Sequence, residues 1–402
     1  MKLKSTLVFG ALAIAASQFA SAQTVVNITG ATAFREAAHS AIISLLGGDG
    51  VAQRARADIN LNGATSASNL RIYRGFVGGQ EYIVRATFSG STQGILDLAD
   101  QNQIPFLNTN TTMTTTGNGA LTGATQASNT SNAAPHLSFS DVEKTLSERP
   151  TASLGGGPVG VVPFMFVMGK GIAAGNRALY SNMTDQIHEA LWSTGQIDAS
   201  LLTNVQPVSP NTSTTTILAT GRNNGSGTRA TILSETGYGS FRNIVQFDAN
   251  TTSGEIAQFA TNGGHSSNSG VSGVLGIDRS ILKFGGTPVD AVFCGYLTIS
   301  DAVTATGYVE ATGASNSALA IPMTYNGVRY SVENVRNGSY TLWGYQQLYT
   351  AASIPAGVTT FDTALRAAIP GSLTAATGIA IPTMKVTRFG GDGGIVQPNP
   401  VE

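Results

Sequence analysis

The sequence predicts an α/β protein on three observations. Strand and helix patterns alternate along the chain, three β-branched runs each end in a small polar turn that opens onto a helical period, and two long apolar runs read as strands buried on both faces. The 402 residues, 42% of them in the AVILMFWYC set, are enough for one large domain or two ordinary ones and exclude a disordered chain. Only 11% of residues are charged, so hydroxyls, amides and 48 glycines supply most of the polarity. Lys and Arg number 22 against 23 Asp and Glu, and no basic face for nucleic acid is visible. Cys294 stands alone, which excludes a disulfide scaffold. His39, His136, His188 and His265 are scattered, so neither a metal site nor a cofactor is expected.

Residues 1–22 read as a secretory leader. Lys2 and Lys4 precede an apolar stretch at 7–16, and Ala20-Ser21-Ala22 is a small-x-small cleavage signature before Gln23. Cleavage after Ala22 takes two of the 22 basic residues, so 20 face 23 acids and the mature charge is −3. No later stretch approaches ~18 consecutive apolar residues, so no membrane insertion is expected after cleavage, and the location is periplasmic or secreted.

In chain order, residues 24–28 (TVVNI) form a β-branched run, 29–32 (TGAT) a tight turn, and Phe34, Ala38, Ile42 and Leu45 recur at helical spacing. Residues 82–88 (YIVRATF), the turn 89–94 (SGSTQG) and Ile95, Leu98 and Ala99 repeat the pattern. So do 216–220 (TILAT), the turn 221–228 (GRNNGSGT) and Ala230, Ile232 and Leu233. A helix start carries unpaired N–H groups and a partial positive charge, glycine lets a ligand approach the main chain, and Ser or Thr adds donors. Taken singly, each turn is more cheaply explained as ordinary Ser/Thr N-capping, and the three together shift the balance. The third adds Arg222, four residues before Ser226, which can grip an oxyanion bidentately.

Between the second and third turns, 108–134 is almost free of charge and of large apolar side chains and reads as a surface loop or insertion. Residues 136–142 (HLSFSDV) read as a short strand, after which Asp141 either caps a helix through Val142 and Leu146 or faces a polar site. The runs 159–168 (VGVVPFMFVM) and 291–299 (AVFCGYLTI) are the strands expected to cross between two lobes. Residues 263–273 read as a Gly/Ser loop with His265 as a loop histidine. Tyr340, Trp343, Tyr345 and Tyr349 read as packing aromatics, and Asp392, among glycines, as a turn.

Taken together, Thr29-Gly30-Ala31-Thr32-Ala33-Phe34, Ser89-Gly90-Ser91-Thr92, Ser138-Phe139-Ser140-Asp141 and Arg222-x-x-Gly225-Ser226-Gly227-Thr228 resemble the phosphate-binding proteins of ABC transporters. The likeness extends to Asn326-Gly327 and Gly338 to Tyr345. It implies a two-lobed type 2 periplasmic-binding fold, each lobe a mixed sheet flanked by helices. The implied lobes are 23–160 plus 295–402 (with the insertion 108–134) and 161–294. It also implies a monomer that holds phosphate or a related oxyanion and delivers it to an ABC transporter permease. On this resemblance Thr32, Ala33 and Phe34 offer a hydroxyl and main-chain N–H groups, and Ser91 donates from the second turn. Arg222 is the counter-charge, Ser226, Gly227 and Thr228 form the helix-start cradle, and Asp141 selects a protonated phosphate over sulfate. Arg35-Glu36 stands where the family carries proline, and Arg35 either adds an anion contact or fills the site. Two other readings stand beside this one: a secreted structural or adhesive protein that keeps the fold without a ligand, and a hydrolase using Ser226 or Ser91. The hydrolase lacks an elbow motif with partnered histidine and acid.

Overall fold

The computed structural model describes residues 23–57, 69–117, 119–121, 129–203 and 215–399; the expected leader at 1–22 lies outside them. The architecture is mixed α/β, organised on one 11-stranded sheet. Its elements in chain order begin with β1 (Thr24–Gly30), α1 (Arg35–Leu45), β2 (Gln53–Ala57), β3 (Leu70–Val77), β4 (Gln80–Thr87) and α2 (Ser91–Asp100). There follow β5 (Ile104–Leu107), β6 (Thr130–Ala133), β7 (Leu137–Ser140), β8 (Gly155–Met168), α3 (Asp185–Thr194), β9 (Gln196–Asp198), β10 (Thr216–Ala219), α4 (Gly227–Glu235) and α5 (Asn268–Leu275). The last are β11 (Ala291–Thr298), α6 (Ile299–Thr306), β12 (Ile321–Pro322), β13 (Trp343–Thr350), α7 (Ala356–Ser372), β14 (Val386–Phe389) and β15 (Ile395–Pro398).

The sheet order is β9-β10-β11-β8-β13-β7-β1-β4-β3-β2, with β12 also on β8. Parallel pairs β1/β4, β1/β7 and β10/β11 sit among antiparallel neighbours. The 14-residue β8 joins the two halves. Gly155 to Pro163 pair with β13, whereas Phe164 to Met168 pair with β11. Its apolar second half is buried on both faces, as its unbroken Val/Phe/Met composition requires. The sequence positions 160/161 and 294/295, where the chain was expected to change lobe, fall inside β8 and β11.

The first two strand-turn-helix units form as the pattern dictates. β1 is buried from Val26 to Gly30 between its two parallel neighbours. α1 turns Ala37, Ala38, Ala41 and Ile42 inward, and the small alanines let it pack closely against α7. The expectation for 108–134 needs correcting at its described ends. Thr130–Ala133 is a strand antiparallel to Ile104–Leu107, while Met113 and Leu121 pack on the Ala55, Ile72 and Ile83 cluster. Pairing there is by main chain, which asks nothing of the polar side chains. The Gly/Ser stretch is likewise not all loop, because Asn268–Leu275 is helical, with Ser267 capping the Gly270 N–H and Val271, Val274 and Leu275 buried.

Two polar features lie inside the apolar packing. His188 is fully buried and stacks on Trp192 at 4.5 Å; burial drives its imidazole down to about 3, so it stays neutral. The C-terminal hairpin β14/β15 is riveted by Asp392, whose carboxylate accepts from the Glu143 N–H (2.8 Å) and the Tyr345 N–H (3.0 Å). Arg388 lies 4.1 Å above the Trp343 ring and pairs with Glu235 at 2.8 Å. Burial raises the carboxyl of Asp392 to about 7 and that of Glu235 to about 8, the Arg388 charge only partly opposing the latter. A carboxyl raised in the folded state binds protons that the unfolded chain has already lost, so these groups cost stability as pH climbs from about 4 to 8. Glu235→Gln removes one of them. The melting temperature of the variant, measured from pH 5 to about 8.5, is expected to fall less with rising pH than that of the parent.

Candidate functional site

The three polar turns meet. Gly30 and Gly90 have φ of +111° and +114°, a region that favours glycine, and both turns lie in close contact with other main chain. A Cβ on Gly30 would fall on the Phe139 carbonyl, and one on Gly90 would lie 2.7 Å from the Gly225 carbonyl. The Gly90 N–H donates to the Gly30 carbonyl at 2.9 Å, joining first turn to second, and the Thr92 hydroxyl donates to the Asn224 carbonyl at 3.3 Å, joining second to third.

At their junction sits Asp141, buried at the end of β7. Its two carboxylate oxygens take different turns: the Ser91 hydroxyl donates to Oδ1 and the Thr228 hydroxyl to Oδ2 at 3.0 Å. The main chain of Asp141 is held too, its N–H donating to Ser91 Oγ (3.2 Å) and its carbonyl accepting from Thr231 (2.8 Å). It caps no helix; a short 3-10 turn begins only at Lys144. Burial raises its carboxyl above the ordinary range, against the pull of the two hydroxyls and of Arg222.

Arg222 is the buried cation facing this acid. Its guanidinium donates to Asn268 Oδ1 (3.0 Å), the Ser266 carbonyl (2.9 Å), the His265 carbonyl (3.3 Å) and, across to the first turn, Thr32 Oγ1 (3.3 Å). Its main chain is fixed by Tyr296, whose hydroxyl accepts from the Arg222 N–H, and by Gln246, which donates to its carbonyl. Burial lowers the guanidinium while the charges of Asp141 and Asp301 sustain it. Asn268 in turn donates to Thr298, whose hydroxyl donates to Asp301 at 2.7 Å, so the cation is held by a chain of polar side chains.

Thr32, Ser91, Asp141, Arg222, Gly227 and Thr228 are thus brought together. Ser226 stands beside them but its hydroxyl caps α4, accepting from the Arg229 N–H, as the capping alternative had it. The other two turns differ. Their N-caps, Phe34 and Gly90, make no side-chain capping bond, so Ser/Thr capping does not account for the hydroxyls there. Phe34 is core, its ring 5.3 Å from that of Phe139; what it and Ala33 can offer a solute is main-chain N–H. Arg35 instead donates to Asn69 Oδ1, just before β3, at 2.8 Å and lies 3.5 Å from Glu36.

Sequence reasoning missed the residues that support the two charges: Gln246, Asn268, Tyr296, Thr298 and Thr231. Nothing in their local spacing marks them, because they reach the site from several elements, Tyr296 and Thr298 together from β11. His265 is also more than a loop histidine. Its carbonyl accepts from Arg222, and its ring meets Thr220 at 3.2 Å and lies 3.7 Å from Asp248.

No protein-family model and no curated protein matches the sequence. Among solved structures, the chain is similar to a protein described as a phosphate ABC transporter substrate-binding protein with bound phosphate, from Clostridium perfringens. That likeness has 11% identity and a TM-score of 0.48, covering 89% of this chain and all of that one. An ABC-type phosphate transport receptor from Vibrio cholerae aligns at 12% identity and TM-score 0.40, over 85% of this chain and 93% of the other. PstS from Borrelia burgdorferi does so at 13% and 0.38, over 85% and 92%.

The packing of the second and third turns is directly testable. A Cβ at Gly227 would collide with the Asp141 carboxylate and the Ser91 side chain, whereas one at Gly225 would lie 3.6 Å from Asn223 Oδ1, an ordinary contact. Gly227→Ala is expected to cost about 1–3 kcal/mol in denaturant unfolding, and Gly225→Ala less than about 1 kcal/mol.

Proposed function

We propose that the protein is an exported solute-binding protein that captures phosphate or a related tetrahedral oxyanion where the three turns meet and passes it to an ABC transporter permease. The observation that carries this reading is the convergence of chain-distant turns on one buried acid and one buried guanidinium: Ser91 and Thr228 on Asp141, and Arg222 reaching Thr32. Arg222 supplies the charge, and its bonds to Asn268 and Ser266 orient it. The first-turn amides of α1, α2 and α4 supply donors without intrahelical acceptors. Asp141 accepts a proton-bearing oxygen, which a phosphate has and a fully ionised sulfate lacks. An entering anion takes over hydroxyls that now bond to Asp141 and Arg222, so binding exchanges protein contacts for ligand contacts with no covalent chemistry. In this reading the turns part to admit the solute, with hinges in β8 and β11. We assign no turnover to Ser226, whose hydroxyl is engaged in capping.

One observation favours the ligand-free structural or adhesive alternative: the guanidinium of Arg222 and the carboxylate of Asp141 are buried and satisfied by protein groups alone. Calorimetry decides between the two. Mature protein, unfolded and refolded to strip bound solute, is expected to bind phosphate with micromolar or tighter affinity and to show no heat with sulfate. Arg222→Ala is expected to weaken phosphate at least ~100-fold, and Asp141→Asn to admit sulfate. Absence of heat and of any thermal shift with phosphate, sulfate and arsenate overturns the oxyanion reading.

A further inference from the structure

The sequence holds six Asn-Gly pairs, with asparagine at 62, 118, 224, 262, 326 and 337, and the last four lie among the described residues. Glycine carries no Cβ and leaves the main chain permissive, so its nitrogen can swing toward the preceding asparagine side chain when both groups are free to move. In three of the four pairs they are not free. Asn262 Oδ1 accepts from Arg229 and from the Ile244 N–H (3.3 Å), and the Gly263 N–H donates to the Ala260 carbonyl at 2.7 Å. Asn326 Nδ2 donates to Asp185 Oδ2 at 3.4 Å, and the Gly327 N–H to Asn182 Oδ1 at 2.8 Å. Asn337 Oδ1 accepts from the Ser339 N–H at 2.9 Å, and the Gly338 N–H donates to the Val335 carbonyl at 3.1 Å. Asn224-Gly225, in the third turn, differs from all of them. Asn224 is exposed, and among the described residues neither its side-chain amide nor the Gly225 N–H makes a hydrogen bond. The turn is held on either side of that pair instead: the Asn223 N–H donates to the His265 carbonyl (3.0 Å), the Ser226 N–H to the Asn223 carbonyl (3.2 Å), and the Asn224 carbonyl accepts from Thr92. Nothing crowds the glycine, since even an added Cβ would come no nearer than 3.6 Å to its neighbours.

We propose that Asn224-Gly225 is a self-modification site, at which the asparagine deamidates through a cyclic imide and the product remodels the third turn. The Gly225 nitrogen attacks Asn224 Cγ; a C–N bond forms, the Cγ–Nδ2 bond breaks, and ammonia leaves with the proton that the Gly225 N–H gives up. Water then adds to one of the two imide carbonyls and opens its C–N bond. Opening at Cγ gives aspartate, and opening at the main-chain carbonyl gives isoaspartate, whose chain runs on through Cγ. No oxidant or reductant takes part. Either product places a carboxylate two residues from Arg222. Isoaspartate also lengthens the main chain between Arg222 and the Ser226-Gly227-Thr228 helix start and displaces the carbonyl that Thr92 holds. Its effect on solute capture rests on the oxyanion reading above; the modification itself does not.

The test incubates the full mature chain at neutral to mildly alkaline pH and follows each Asn-Gly peptide by mass spectrometry against unincubated protein. In the folded chain Asn224 is expected to convert at least ~10-fold faster than Asn262, Asn326 and Asn337, where hydrogen bonds that must break first each slow closure several-fold. The rate is expected to climb with pH, because the attacking nitrogen must shed its proton. In concentrated urea, which releases the other three pairs, the four rates are expected to converge. Gly225→Ala, which restricts the main chain, and Asn224→Gln, which must close a larger ring, are each expected to slow conversion at least ~10-fold in the folded protein. Conversion at Asn224 no faster than at the other three pairs, or a rate that both variants leave unchanged, would overturn the proposal. Phosphate calorimetry on incubated against fresh protein reads the consequence, with Asn224→Asp as the control that adds charge without lengthening the chain. The isoaspartate form is expected to bind at least ~10-fold more weakly than fresh protein and the Asn224→Asp variant to lose less; equal affinity of fresh and converted protein would overturn the remodelling. Fresh protein that binds no phosphate marks failure of the oxyanion reading, and the conversion rates still decide the modification.

Discussion

A buried carboxylate and a buried guanidinium from separate segments of the chain, Asp141 and Arg222, constrain the rest of this structure. Neither Asp141 nor Arg222 is tolerable in the interior alone, since an uncompensated buried charge costs roughly 3–5 kcal/mol. Asp141 is therefore held by hydroxyls from two different helix starts, and Arg222 by carbonyls, an amide side chain and the Thr32 hydroxyl. Satisfying the pair draws together turns at residues 29–34, 89–94 and 221–228. The convergence is thus an electrostatic requirement as much as a packing outcome.

The sheet makes that convergence possible. β1, β4 and β10 end where the turns begin, β7 ends beside Asp141, and β8 serves both halves, pairing with β13 along its first part and with β11 along its second. Close approach is then a matter of missing side chains. Gly30, Gly90 and Gly227 sit where a Cβ would strike a carbonyl or the Asp141 carboxylate. Gly94 likewise lies against Gly30 and the Ser138 side chain, seating α2 on β1 and β7. The glycine-rich composition therefore includes residues at close contacts of the three turns as well as in surface turns.

Low overall charge gives the exceptions meaning. Where arginine is buried, it is either networked, as Arg222 is and as Arg388 is over Trp343, or gathered with others at the β2/β3 edge. The Arg71 charge acts against that of Arg35, and the Arg35 charge against that of Arg222.

The sequence by itself determined the α/β class, the three strand-turn-helix units and the doubly buried strands, because hydrophobic period and helix-start chemistry are local; the candidacy of Thr32, Ser91, Asp141, Arg222 and Thr228 came with the family resemblance that their motifs carry. Only tertiary structure decided that Asp141 bonds to Ser91 and Thr228 instead of capping a helix, and that Ser226 does cap one. It also decided that 130–133 and 268–275 are ordered elements, that Asp392 is a buried rivet, and that Asn268, Gln246 and Tyr296 support Arg222. Hydrogen bonds between residues 24 to 190 positions apart leave no periodic trace, and cross-strand register, which sets Arg56 against Arg71, exists only once the strands are paired.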